Sequence, residues 1–219
     1  MPIHHRLNRR ELLALSAQAP LALLLPFGVH AASPAQLVLT EVETELGTFV
    51  MAVDPAKAPV TVANYLAYVD ASHLDSASVY RIVTTANQSP ETRHKIEVVQ
   101  WGLNTPAGQA SPLPPIAHET TQQSGLKHLD GTVSMARTAP GTASSEFFIC
   151  IGAQPELDFG GRRNPDGQGF AAFGQVTAGM DVVRSLHARG QASQYVQPPL
   201  AIRSVRRLVL GRAMPLVTR

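Results

Sequence analysis

The 219-residue sequence has a single cysteine, Cys150, and a single tryptophan, Trp101. One cysteine excludes an intrachain disulfide, a C-x-x-C redox pair and a cysteine zinc cluster. Set in the apolar run "FFICI" with nothing basic beside it, that thiol reads as a buried strand residue rather than a nucleophile. No H-x-x-x-H or H-E-x-x-H spacing occurs, so no metal site is expected. An excess of one charge is missing too: 18 Lys and Arg face 16 Asp and Glu. A net charge of +2, without a basic stripe or interleaved aromatics, does not argue for nucleic acid. There is no G-x-S-x-G elbow, which leaves Ser144 and Ser145 in "TASSE" a poor basis for a serine hydrolase.

What is present suits one domain of ordinary size with many turns: 44% hydrophobic residues, 17 prolines and 16 glycines. Residues 1–31 read as an export signal followed by a domain over 32–219. Arg6, Arg9 and Arg10 form a basic head, Leu12 to Phe27 an apolar stretch, and Val29 and Ala31 a small-x-small exit. The apolar part is short and contains proline, so no stable membrane span is expected after processing. "NRRELL" is similar to a twin-arginine signal, with general secretion as the rival route. The expected location is periplasmic or secreted.

From Leu37 onward, alternating runs predict a hairpin about Gly47, with Thr40, Val42 and Thr44 on one parity and Phe49, Met51 and Val53 following. Val62, Tyr65, Leu66 and Val69 at helical spacing predict a helix whose first turn carries Pro59. "ASVYRIV", "IEVVQWG", "GTVSMAR", "SEFFICIG", "FAAFGQV" and "PLAIRSVRRLVL" read as strands. A second helix over "AGMDVVRSLHARG" turns Met180, Val183 and Leu186 to one side. About eight strands joined by loops, with two helices, predict a mainly β, antiparallel sheet that closes into a barrel, the helices capping its ends. In "SEFFICIG" the adjacent Phe147 and Phe148 must face opposite sides of the sheet, so at most one of them enters the barrel core.

In order and content, "ELGTFVMAVDPAKAPVTVANYLAYV", "HETTQQSGLKHLDGTVSMART", "SSEFFI", "LD" and "AFGQVTAGMDVV" resemble the cyclophilin family of peptidyl-prolyl cis-trans isomerases, especially its bacterial branch. The resemblance spans nearly all of the chain after the signal. It implies an eight-stranded antiparallel closed barrel capped by two helices, proline-containing polypeptide substrates, no cofactor and a monomer. It also implies Arg81 of "VYRIV" and Gln100 of "VVQWG" as catalytic residues, with Met135, Ala136, Phe148, Leu157 and Phe170 around the proline. Phe148 would then floor the groove and Phe147 pack inside. A binding or chaperone module of the same fold, with little or no turnover, is the alternative.

The chain departs from the family pattern at several of these places. Glu97 and Val98 stand near positions of bulky apolar residues, Glu156 replaces an aromatic before Leu157, and Glu146 replaces a glutamine. Trp101 follows Gln100 where glycine is customary. These departures predict a groove that is shallower and more acidic than the family norm.

Overall fold

The computed structural model describes residues 36–106 and 109–208; the expected export segment 1–31 lies outside the described residues. Eight strands run in chain order: β1 (Val38–Thr44), β2 (Gly47–Val53), β3 (Ser78–Val83), β4 (Val98–Gly102), β5 (Thr132–Met135), β6 (Glu146–Cys150), β7 (Ala171–Ala178) and β8 (Tyr195–Arg207). They pair in the order β1-β2-β7-β5-β6-β4-β3-β8 and close into a barrel. Every pairing is antiparallel. Closure leaves no sheet edge to template aggregation, which suits strands this short.

The alternation read from β1 and β2 is what fills the barrel. Thr40, Val42, Thr44, Phe49, Met51 and Val53 are all buried. Helix α1 (Pro59–Asp70) buries Val62, Tyr65, Leu66 and Val69. Its Tyr65 ring meets Phe147 edge-on at 5.3 Å, and its hydroxyl shares a 2.8 Å hydrogen bond with the buried Thr40 Oγ1. A buried strand threonine is thereby satisfied by the helix that covers it. A one-turn helix, α2 (Thr121–Ser124), arises within a stretch that carries no periodicity. A capping box explains it: Thr120 and Gln123 each bond the other's backbone N–H. Helix α3 (Met180–His187) turns Val183 and Leu186 inward and begins at Gly179, whose φ is +77°. No helix among the described residues is long and apolar enough to cross a membrane.

Candidate active site

Outside the barrel, a second apolar cluster gathers Val83, Ile96, Val98, Phe148, Cys150 and Leu157, with Ala136 and Phe170 packed against it. It floors a cavity of about 750 Å³ that is also lined by Tyr80, Arg81, Gln100, Arg137, Glu146, Arg163 and Tyr195. Six of the expected residues meet here: Arg81, Gln100, Ala136, Phe148, Leu157 and Phe170.

Strand register explains the convergence. Arg81 is paired with Gln100, and Gln100 with Phe148, so the three stand side by side on β3, β4 and β6. The inner row runs beside them: Trp101 opposite Phe147, and Phe147 opposite Met135. Met135 therefore does not belong to the groove. It is 1% exposed and packs in the barrel core, while its neighbour Ala136 lines the cavity. The alternation that separates the two phenylalanines separates Met135 from Ala136 as well.

Arg81 owes its orientation to an irregularity. Both pairings of β3 shift register between Val79 and Arg81, so Tyr80 is an extra residue in the ladder. Val79 and Ile82 point into the core, and the bulge puts Tyr80 and Arg81 together on the outer face. The guanidinium donates from Nη1 to Gln100 Oε1 at 2.8 Å, and from Nε and Nη2 to Gln194 Oε1 at 3.1 and 2.6 Å. Among the described residues three of its five N–H donors are engaged, leaving one on each Nη for a ligand. Gln100 Nε2 donates in turn to the Tyr80 hydroxyl at 2.5 Å. Partial burial draws the Arg81 pKa down, yet an arginine stays charged at any ordinary pH. Gln194 lies just before β8, in a segment whose sequence shows only polarity, and its role is visible only in the fold.

Phe148 is held from behind. The His128 ring stacks on it at 5.9 Å and 14°, and Phe170 meets it edge-on at 5.4 Å. His128 is fixed between Asp158 Oδ1 at 2.8 Å and Ser134 Oγ at 2.9 Å. Burial pushes the Asp158 carboxyl upward, but its side-chain and backbone hydrogen bonds to His128 outweigh this and leave it below the ordinary range. Although a serine, a histidine and an aspartate are linked, Ser134 is fully buried and can reach no substrate. Ser144 and Ser145 bond Ser111 and Glu146, not a histidine.

Gly169 holds Leu157 and Phe170 in place. Its φ is +61°, and a Cβ there would meet the Asp158 and Leu157 backbone at 2.5 Å, beside the 2.9 Å bond from Phe170 N to Leu157 O. Gly169→Ala is expected to cost about 1–3 kcal/mol and to raise KM as Leu157 and Phe170 shift. Urea unfolding and peptide kinetics measure the two effects.

The expected acidity is not found. Glu97 and Glu156 are absent from the lining, and Ile96 and Val98 supply the apolar wall. Glu97 accepts from the Thr85 amide, while Glu156 holds the Arg162 amide and lies 3.3 Å from His94 Nδ1. The polar segment between β3 and β4 brings Ile96 to the cavity wall and is tied together by its own side chains. Its buried Gln88 donates to Thr84 O and Ile96 O and accepts from Ile96 N. Three arginines (Arg81, Arg137 and Arg163) line the cavity against one carboxylate, Glu146.

Burial pushes the Glu146 carboxyl above its ordinary value of 4.5, against hydrogen bonds from Ser145 and the Asn104 amide. A carboxyl raised on folding contributes its stability below the unfolded pKa and loses it as pH rises through the folded one. Glu146→Gln is therefore expected to gain on the wild type as pH rises above about 4.5. Urea titrations between pH 4 and 8 read the difference.

The closed barrel thus bears, on its outer wall, a guanidinium beside an apolar floor. Residues 39–207 match the family model "Cyclophilin type peptidyl-prolyl cis-trans isomerase/CLD". A peptidyl-prolyl cis-trans isomerase of Streptomyces antibioticus, cyp18, is 35% identical over 72% of this chain and 92% of its own. Peptidyl-prolyl cis-trans isomerase B of Escherichia coli is 30% identical over 71% of this chain and 89% of its own. The crystal structure of a cyclophilin-type isomerase of Cryptosporidium parvum shares the fold, with a TM-score of 0.63 and 18% identity, covering 79% of this chain and 98% of that one. The chain belongs to the cyclophilin-type peptidyl-prolyl cis-trans isomerase family.

Proposed function

We propose that this protein accelerates cis-trans isomerisation of X-Pro bonds in exported polypeptides, with Arg81 as the central catalytic residue. The observation that carries the reading is Arg81, held by Gln100 and Gln194 with two N–H groups free among the described residues, beside the floor of Phe148, Leu157 and Phe170. Rotation about a peptide bond faces about 18–20 kcal/mol because resonance shares the nitrogen lone pair with the carbonyl. For X-Pro the two isomers differ by only ~0.5–1 kcal/mol, so rate is the obstacle. No bond is broken; binding the twisted amide better than either planar form suffices.

Arg81 can donate to the prolyl nitrogen as its lone pair localises, or hold the carbonyl side of the substrate. Gln100 and Gln194 keep the guanidinium aimed, so little reorganisation is needed at the top of the barrier. The apolar floor grips the ring while the preceding carbonyl swings. A Cryptosporidium parvum relative of the same fold has been crystallised in the presence of the dipeptide Ala-Pro. The test is isomerisation of a short Ala-Pro peptide. A rate well above the uncatalysed one supports the reading; a folded protein that binds the peptide without accelerating it is instead a binding module.

Export rests on the basic head, apolar stretch and small-x-small exit of residues 1–31. These residues fused to a reporter should carry it out of the cytoplasm and be cut near Ala31, which mass spectrometry of the exported product reads directly. The chain is taken to act as a monomer, which sedimentation of the processed protein tests.

A further inference from the structure

The groove holds more positive charge than isomerisation requires. Arg137 is neutralised: it forks onto Asp166 at 2.7 and 3.0 Å and lies over the Phe170 ring at 5.2 Å. Arg81 and Arg163 have no carboxylate partner among the described residues. Arg163 sits in the loop between Leu157 and β7, where it is half-buried. Its Nη1 donates to Gln88 Oε1 and to His94 O, both at 3.0 Å, which ties it to the segment between β3 and β4 at the Ile96 end of the floor. Its Nε and Nη2 have no hydrogen-bond partner among the described residues.

A second donor lies beside it. Asn164 also lines the cavity, and its Nδ2 is buried without a partner. A buried N–H left unpaired costs about 1–3 kcal/mol, so such a group is readily satisfied by an incoming acceptor. The nearby acids do not fill this role. Glu156 is engaged by the Arg162 amide and His94, and Glu146 takes Ser145 and the Asn104 amide on Oε1, while its Oε2 is buried without a partner among the described residues, so neither acid pairs with Arg163 or Asn164. Burial, and after it the charge of Arg81, draw the Arg163 guanidinium's pKa down, which places the two cations in one partly dry cavity.

We infer that this groove selects peptides with a side-chain carboxylate on a residue adjacent to the proline, held by Arg163 with Arg81 and the Asn164 amide. The preference extends the isomerase reading by naming the substrate class. A planar guanidinium with its Nε and Nη2 edge free matches a carboxylate with two parallel hydrogen bonds. An ammonium could not, and a lysine-bearing peptide would meet two positive charges.

The test uses the full-length protein and four peptides, Glu or Gln placed immediately before or after the proline. Glu and Gln have nearly the same shape, so their ratio isolates charge. Affinity is measured by isothermal titration at low and at high salt. Isomerisation of the same peptides is measured separately by NMR exchange. Expected is a roughly three- to tenfold tighter binding of the Glu peptide in at least one position, shrinking with added salt. Arg163→Gln should bring that ratio close to one, and Arg163→Lys should keep only part of it. Equal affinities for Glu and Gln in the wild type, or a ratio unchanged in Arg163→Gln, would overturn the inference. Absence of isomerisation with the Glu preference intact would overturn the catalytic reading and leave this one standing.

Discussion

Arg81→Ala is expected to lower kcat/KM for an Ala-Pro peptide by roughly a hundred- to a thousandfold while the protein stays folded. A preorganised donor aimed at charge that develops in the transition state is worth about 2.7–4 kcal/mol. The structure supplies that preorganisation through Gln100 on one side and Gln194 on the other. The fold should survive, because Arg81 stands on the outer wall and the β3 core residues are Val79 and Ile82. Arg81→Lys tests the geometry separately. An ammonium retains the charge but cannot bond both glutamines and a substrate in one plane, so most of the loss should remain. Isomerisation rates beside urea unfolding curves settle both points. An alanine variant that is folded and retains the wild-type rate would remove Arg81 from the mechanism.

The second large effect concerns the two adjacent phenylalanines of β6, which stand on opposite faces of the sheet. Phe147 packs against Trp101 at 5.1 Å, Tyr65 at 5.3 Å and Phe173 at 6.1 Å, fully buried in the barrel. Phe147→Ala opens a cavity there, and its expected cost is about 3–5 kcal/mol of stability. The molecules that remain folded should turn substrate over normally, since Phe147 does not line the groove. Phe148→Ala removes the floor under the proline ring. Some stability goes with it, since Phe148 is also buried, but the distinguishing result is a roughly tenfold or greater loss of kcat/KM per folded molecule. Urea titration gives the folded fraction needed for both comparisons. Equal losses of activity per folded molecule would contradict the two-sided placement.

These contrasts show where sequence suffices and where it does not. Periodicity is a local property, so the barrel strands, the buried face of α1 and the separation of Phe147 from Phe148 were all legible in the chain. So was the meeting of Arg81 with Gln100, through the resemblance of their motifs to those of the cyclophilin family. The resemblance through "SMAR" implies Met135 and Ala136 together, whereas alternation puts them on opposite faces and only Ala136 on the groove. Regular alternation would likewise have turned Arg81 into the core beside Val79. The bulge at Tyr80 turns it out, and a bulge is decided by the register of the two neighbouring strands, which no single segment encodes.

The charge of the groove was legible only in part for the same reason. Glu97 and Glu156 lie near the site in sequence but bond the Thr85 and Arg162 amides at its margin. Arg163 lies in the loop before β7 and Gln194 just before β8, where no periodic pattern marks either. Both enter the site because long-range bonds draw the segments together, Arg163 onto Gln88 and His94, and Gln194 onto Arg81. The sequence by itself determined the strands, their faces and the family to which they belong, because burial of apolar side chains acts through local pattern. The tertiary structure alone decided that Arg163 and Gln194 join Arg81 and Gln100 in the groove, because hydrogen bonds between distant segments depend on how the barrel closes.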